Sequence, residues 1–93
     1  MSSRTQNVVG SAMIRSVQIR AARALLAMSQ QDLATRAAVG LNTVKRIEAA
    51  LDEPTGTIQT LLRIKRALEQ AGILFIDQDE GHGPGVRLRK PQR

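Results

Sequence analysis

The sequence predicts a mainly α-helical domain of four helices followed by a C-terminal β-hairpin. Three observations point there. Apolar residues recur at helical spacing in four segments between residues 13 and 72, serine, threonine and glycine punctuate those segments, and from residue 73 the pattern changes to alternation around a glycine-rich stretch. The chain of 93 residues therefore divides into a polar, patternless arm over 1–12, expected to be disordered, a helical domain over 13–72, a hairpin over 73–90 and a tail over 91–93.

In the first helix Val17, Ile19, Ala22, Leu25 and Leu26 form the expected inner stripe, with Ser16 as N-cap and Arg15, Arg20 and Arg23 around the remaining surface. Ser29 opens the second helix. Its hydroxyl suits an N-cap, Asp32 suits the positive helix end, and Leu33, Ala34 and Ala37 form the buried stripe. Val39-Gly40 breaks this helix, with Gly40 expected to supply the backbone freedom of the turn. A third helix runs from about Leu41 to Ala49 with Val44 and Ile47 inward, and residues 52–56 read as a loop. Thr57 caps a fourth helix reaching Ala71, whose inner face is Ile58, Leu61, Ile64, Leu68 and Ala71, and Gly72 ends it. Ile73-Leu74-Phe75-Ile76 and Val86-Arg87-Leu88-Arg89 then read as two strands joined by a long tip.

Composition narrows the function. There is no cysteine, which removes disulfides, thiol catalysis and cysteine-based zinc sites, and the one histidine, His82, reads as a turn residue within Gly-His-Gly-Pro-Gly. With no metal-ligand cluster, no cofactor motif and scattered carboxylates, an enzyme is not expected. No apolar run approaches the ~20 residues of a membrane span, and the first residues lack the apolar core of a secretory signal, so a cytoplasmic protein is expected. The net charge of +6 suggests a polyanionic partner. Phe75 is the sole aromatic residue, so the chain has no stacking platform for single strands or RNA, and duplex DNA fits better.

The segment 29–49 has the properties of two short helices joined for DNA reading. Ala34, Ala37 and Ala38 are small where the helices cross, Val39 plugs the turn, and Leu41, Asn42, Lys45 and Arg46 point outward from the second helix. Asn42 suits adenine N6 and N7, Lys45 or Arg46 suits guanine O6 and N7, and Leu41 suits a thymine methyl. Gln30 and Arg36 suit phosphates.

The run Ser29-Gln-Gln-Asp-Leu-Ala-Thr-Arg-Ala-Ala-Val-Gly-Leu-Asn-Thr-Val-Lys-Arg-Ile-Glu48 resembles the Cro/repressor-type, or xenobiotic-response-element, helix-turn-helix family. The likeness extends upstream over Gln18 to Leu26 and downstream over Leu61 to Phe75, and Gly83 to Leu88 is similar to the hairpin tail of small bacterial members. About three quarters of the chain is covered. The resemblance implies a lambda-repressor-like fold and a bacterial transcriptional regulator found on the nucleoid. It implies base or flanking-phosphate contacts from Leu41, Asn42, Lys45 and Arg46, phosphate contacts from Gln30 and Thr43, and a bridge between Arg23 and Glu48. The family usually has Gly at the position of Ala38, Ser or Thr at Gly40 and Gly at Ala50. Losing the cap hydroxyl at Gly40 costs a few tenths of a kcal/mol, because glycine is the mildest replacement.

The strand Ile73–Ile76 is apolar on both faces, so both faces need cover. One face suits helix four, and the other, with Leu74, Ile76 and Leu62, suits a second copy of the chain. A two-fold dimer presents two recognition helices roughly 34 Å apart to a near-palindromic operator. The competing reading is a protein-interaction module, an antitoxin or antiactivator, for which DNA binding is secondary.

Overall fold

The computed structural model describes residues 13–51 and 54–90, so the arm 1–12, the tail 91–93 and Asp52-Glu53 lie outside the described residues. Four helices precede a two-stranded antiparallel sheet: α1 Ser16–Leu26, α2 Gln30–Ala37, α3 Leu41–Ala49, α4 Ile58–Gln70, β1 Ile73–Ile76 and β2 Gly85–Leu88. The expected order and number of elements hold among the described residues.

Two helix starts and the turn into the sheet have local causes. Ser29 Oγ accepts from the Asp32 amide at 2.9 Å while the Asp32 carboxylate accepts from the Ser29 amide at 3.5 Å, which closes a capping box at α2. Thr57 Oγ1 accepts from the Thr60 amide at 3.1 Å and starts α4. Gly72, at φ 114°, turns the chain from α4 into β1.

The α1 reading needs correction. Its N-cap is Arg15, and Ser16 is already helical and buried, its hydroxyl donating to the Ile47 carbonyl of α3 at 2.7 Å. The inner face is Ser16, Gln18, Ile19 and Ala22, whereas Val17 at 46% and Leu25 at 43% exposure lie outside. Apolar spacing alone allowed a stripe rotated by about one residue; the buried polar pair Ser16 and Gln18 decides it, because both find partners across the core. In α4, Ile58 is likewise 57% exposed, and Ala67 takes its place in the buried set with Leu61, Ile64 and Leu68.

The turn between α2 and α3 is also built differently from the expectation. Gly40 is extended, with φ −74° and ψ 151°, and any residue adopts that conformation. The left-handed residue is Ala38, at φ 59°, and Ala27 ends α1 in the same way at φ 53°. A carbonyl-capping pair closes α2, with the Val39 amide donating to the Ala34 carbonyl at 3.0 Å.

One core serves every element. Ile19 of α1, Leu33 of α2, Val44 and Ile47 of α3, Ile64 and Leu68 of α4 and Ile73 of β1 are fully buried together. In the hairpin Ile73 pairs with Leu88, Leu74 with Arg87, Phe75 with Val86 and Ile76 with Gly85. Phe75, Val86 and Leu88 pack on the core beside Ile73, while Leu74 and Ile76 face outward, as the alternation predicts. The sheet lies against α1 as well as α4. Gln18 makes that junction: its amide donates to the Ile76 carbonyl at 3.2 Å and the Gly85 carbonyl at 2.9 Å, and its oxygen accepts from the Arg15 amide at 2.8 Å.

Candidate nucleic-acid interface

The outward face of α3 follows from its helical period. Val44, Ile47 and Glu48 fall on one side and are buried, so Asn42, Lys45, Arg46 and Ala49 fall on the other and are exposed. Leu41 and Thr43 lie on the flanks, half-buried, and Leu41 packs against the core edge. Leu41 therefore divides its surface between packing and solvent. Among the described residues the side chains of Asn42, Lys45 and Arg46 have no hydrogen-bond or ion-pair partner, so an amide and two cations stand together on a rigid helix.

A buried ion pair fixes that helix in place. Glu48 is only 4% exposed, and its carboxylate accepts from Arg23 Nε at 2.6 Å and Arg23 Nη2 at 2.8 Å. A third donor is Gln30 Nε2 at 3.0 Å. Arg23 Nη1 also donates to the Met28 carbonyl at 2.8 Å, so the cluster joins α1, the α1–α2 turn, the start of α2 and the end of α3. The hydrogen bonds to Glu48 raise the Arg23 pKa above its ordinary value against the opposing effect of burial. Arg20 adds a clamp on the C-terminal end of α3, donating to the carbonyls of Glu48 and Ala50.

The expected site residues thus separate into groups. Arg23 and Glu48 form the anticipated bridge. Gln30 stands at the N-terminus of α2 beside α3, where the Glu48 contact orients its side chain. Arg36 is not with them; it lies at the other end of α2, on the seam with α4, lining an open depression of about 330 Å³ with Arg63 and Arg66. Those two α4 arginines were not singled out from the sequence. Their three-residue spacing on a polar helix face was the available signal. Leu62, Leu74 and Ile76 are all exposed, on α4 and on the outer face of β1. His82 sits in the hairpin tip, its Nδ1 3.0 Å from Asp79 Oδ1.

No described helix is long and apolar enough to cross a membrane. No family model matches the chain, and no curated protein or solved structure matches it.

Proposed function

We propose that this protein is a sequence-specific, double-stranded-DNA-binding transcriptional regulator with a lambda-repressor-like helix-turn-helix, acting as a repressor by occupying promoter DNA in the cytoplasm. The observation that carries this reading is α3 itself: one face is locked into the core by Val44, Ile47 and the Glu48 cluster, and the other presents Asn42, Lys45 and Arg46 without internal partners. A rigid helix with free hydrogen-bonding ends on one side is what major-groove reading requires. Asn42, Lys45 and Arg46 read base edges, Leu41 contributes the exposed part of its side chain to a thymine methyl, and Gln30 and Thr43 hold phosphates.

The protein works as a homodimer, with the outer face of β1, Leu74 and Ile76, and the exposed Leu62 as candidates for the subunit contact. Two exposed aliphatic side chains on the outer face of the sheet support this, since a second copy seated there removes their apolar surface from water.

The test is a binding titration on the DNA upstream of the protein's own gene against random duplex, over a salt series. Preferential binding at every salt is expected, and Asn42→Ala is expected to reduce the preference by ~1–3 kcal/mol while leaving the salt slope nearly unchanged. Equal affinity for both duplexes at every salt rejects sequence-specific reading. Full activity after replacing Asn42, Lys45 and Arg46 together with alanine supports the interaction-module reading instead.

A further inference from the structure

We infer that the arginine seam between α2 and α4 receives the acidic hairpin tip of a second copy of this chain, in a head-to-tail contact separate from the outer face of β1. The seam brings together Arg36 of α2 with Arg63 and Arg66 of α4 over a floor of Ala37, Ala38 and Ala67. Among the described residues no carboxylate pairs with any of the three; Arg63 reaches only the Ala38 carbonyl, at 3.5 Å. Three guanidiniums around a shallow depression repel one another, and carboxylates that accept bidentate bonds relieve this.

The same chain carries the matching surface. In a protein of net charge +6, three of its eight acidic residues, Asp77, Asp79 and Glu80, fall within four positions at the hairpin tip. Asp77 and Glu80 are exposed and pair with no basic side chain among the described residues. Asp79 shapes the tip from within, accepting from the Gly81 amide at 2.9 Å, and the Asp79 amide donates to the His82 carbonyl at 2.9 Å. The tip is thus an ordered, three-carboxylate projection, and the seam is a three-guanidinium depression. Because the two surfaces differ, the contact is heterologous and extends from copy to copy instead of closing on itself. It is small and salt-sensitive, so its consequence, which rests on the DNA-binding reading, is to join copies already held side by side on neighbouring sites.

The absence of cysteine makes the contact directly testable without DNA. One copy carries Gly83→Cys at the tip, where an added Cβ meets no atom within 4 Å, and a second copy of different mass carries Gln70→Cys at the edge of the seam. A short bismaleimide is expected to link the two copies at low salt. The linked product is expected to disappear as ionic strength rises from about 0.01 M to about 1 M and the screening length falls from roughly 30 Å to roughly 3 Å. Arg63→Glu with Arg66→Glu abolishes the link, and adding Asp77→Lys with Glu80→Lys on the tip copy restores it. That restoration also shows that the reversed seam still folds. No link at low salt, or a link that the seam reversal leaves unchanged, overturns the inference. So does a reversal that spares the link but flattens the salt dependence of DNA binding, which assigns the seam to phosphates. A loss that the tip exchange fails to restore overturns it too, in favour of another acidic partner. Failure of DNA binding leaves every cross-linking readout intact.

Discussion

Ala38 carries a conformation that suits glycine, and the neighbouring Gly40 carries one that does not need it. An L-residue in the left-handed region costs ~1–2 kcal/mol, part of which glycine returns through its larger unfolded-state entropy. Ala38→Gly is therefore expected to stabilise the fold by about 0.5–1 kcal/mol, a rise of roughly 3–6 °C in a thermal melt. Gly40→Ser adds a cap acceptor for only a few tenths of a kcal/mol, and it fits, since a Cβ there meets Thr43 Oγ1 at 3.8 Å. An unchanged melt for Ala38→Gly would refute the strain argument. Glu48 is the opposite case, an internal carboxylate with three donors. Glu48→Ala removes the counter-charge of Arg23 and the acceptor of the Gln30 amide and is expected to cost about 3 kcal/mol, at the low end for a broken buried pair because Arg23 keeps 21% exposure and its bond to the Met28 carbonyl. Chemical denaturation measures it. The raised Arg23 pKa means that this pair is fully formed below the ordinary arginine range and is lost only as pH climbs through the higher folded value, so alkaline pH short of that range leaves it intact.

Elements here are joined by polar stitches as much as by apolar faces. Gln18 is buried on α1, yet it spends its whole amide on the base of the hairpin tip and the α1 cap. Gln18→Leu keeps the size but removes the bonds to the Ile76 and Gly85 carbonyls and to the Arg15 amide, and a loss of about 2 kcal/mol is expected. Hydrogen exchange should locate that loss at the hairpin's tip-proximal end, and uniform loosening of all elements would contradict it. The tip responds to acid in a defined direction. The Gly81 amide, and then His82, hold the Asp79 carboxyl below its ordinary range. A depressed folded pKa contributes order that is present above the unfolded value and lost as pH falls through the folded one. In an NMR titration the Gly81 amide should therefore move at a pH below the ordinary aspartate range. Movement within that ordinary range would remove Asp79's role in the turn.

For the molecule as a whole, the central prediction concerns assembly. Leu74→Asp with Ile76→Asp touches no core contact, since both side chains face out of the sheet. The double variant is expected to sediment as a monomer, to melt at a temperature independent of protein concentration, and to lose affinity for a two-half-site duplex far more than for a single half-site. A wild-type protein that is monomeric at micromolar concentration, with and without DNA, would eliminate the dimer.

Much of this architecture is legible in the sequence. Ser29 with Asp32, Thr57 and Gly72 mark boundaries through bonds and torsions within a few residues, and the alternation in Ile73–Ile76 assigns the inward face by period alone. The outward set Asn42, Lys45 and Arg46 was legible for the same reason: a short helix with one buried stripe leaves little choice for the rest. Other features depended on partners far along the chain. Ser16 is a helical core residue because the Ile47 carbonyl awaits its hydroxyl, and Val17 and Leu25 are exposed because Gln18 turned the other way to meet the hairpin. Ala38 takes the left-handed torsion because the chain must leave α2 there and turn toward α3. Arg36 meets Arg63 and Arg66 only because α4 packs along α2. Local hydrogen bonds and periodicity act over about four residues, so they are written in adjacent letters; which face turns inward, and which charges meet, is set by long-range packing that no local window contains.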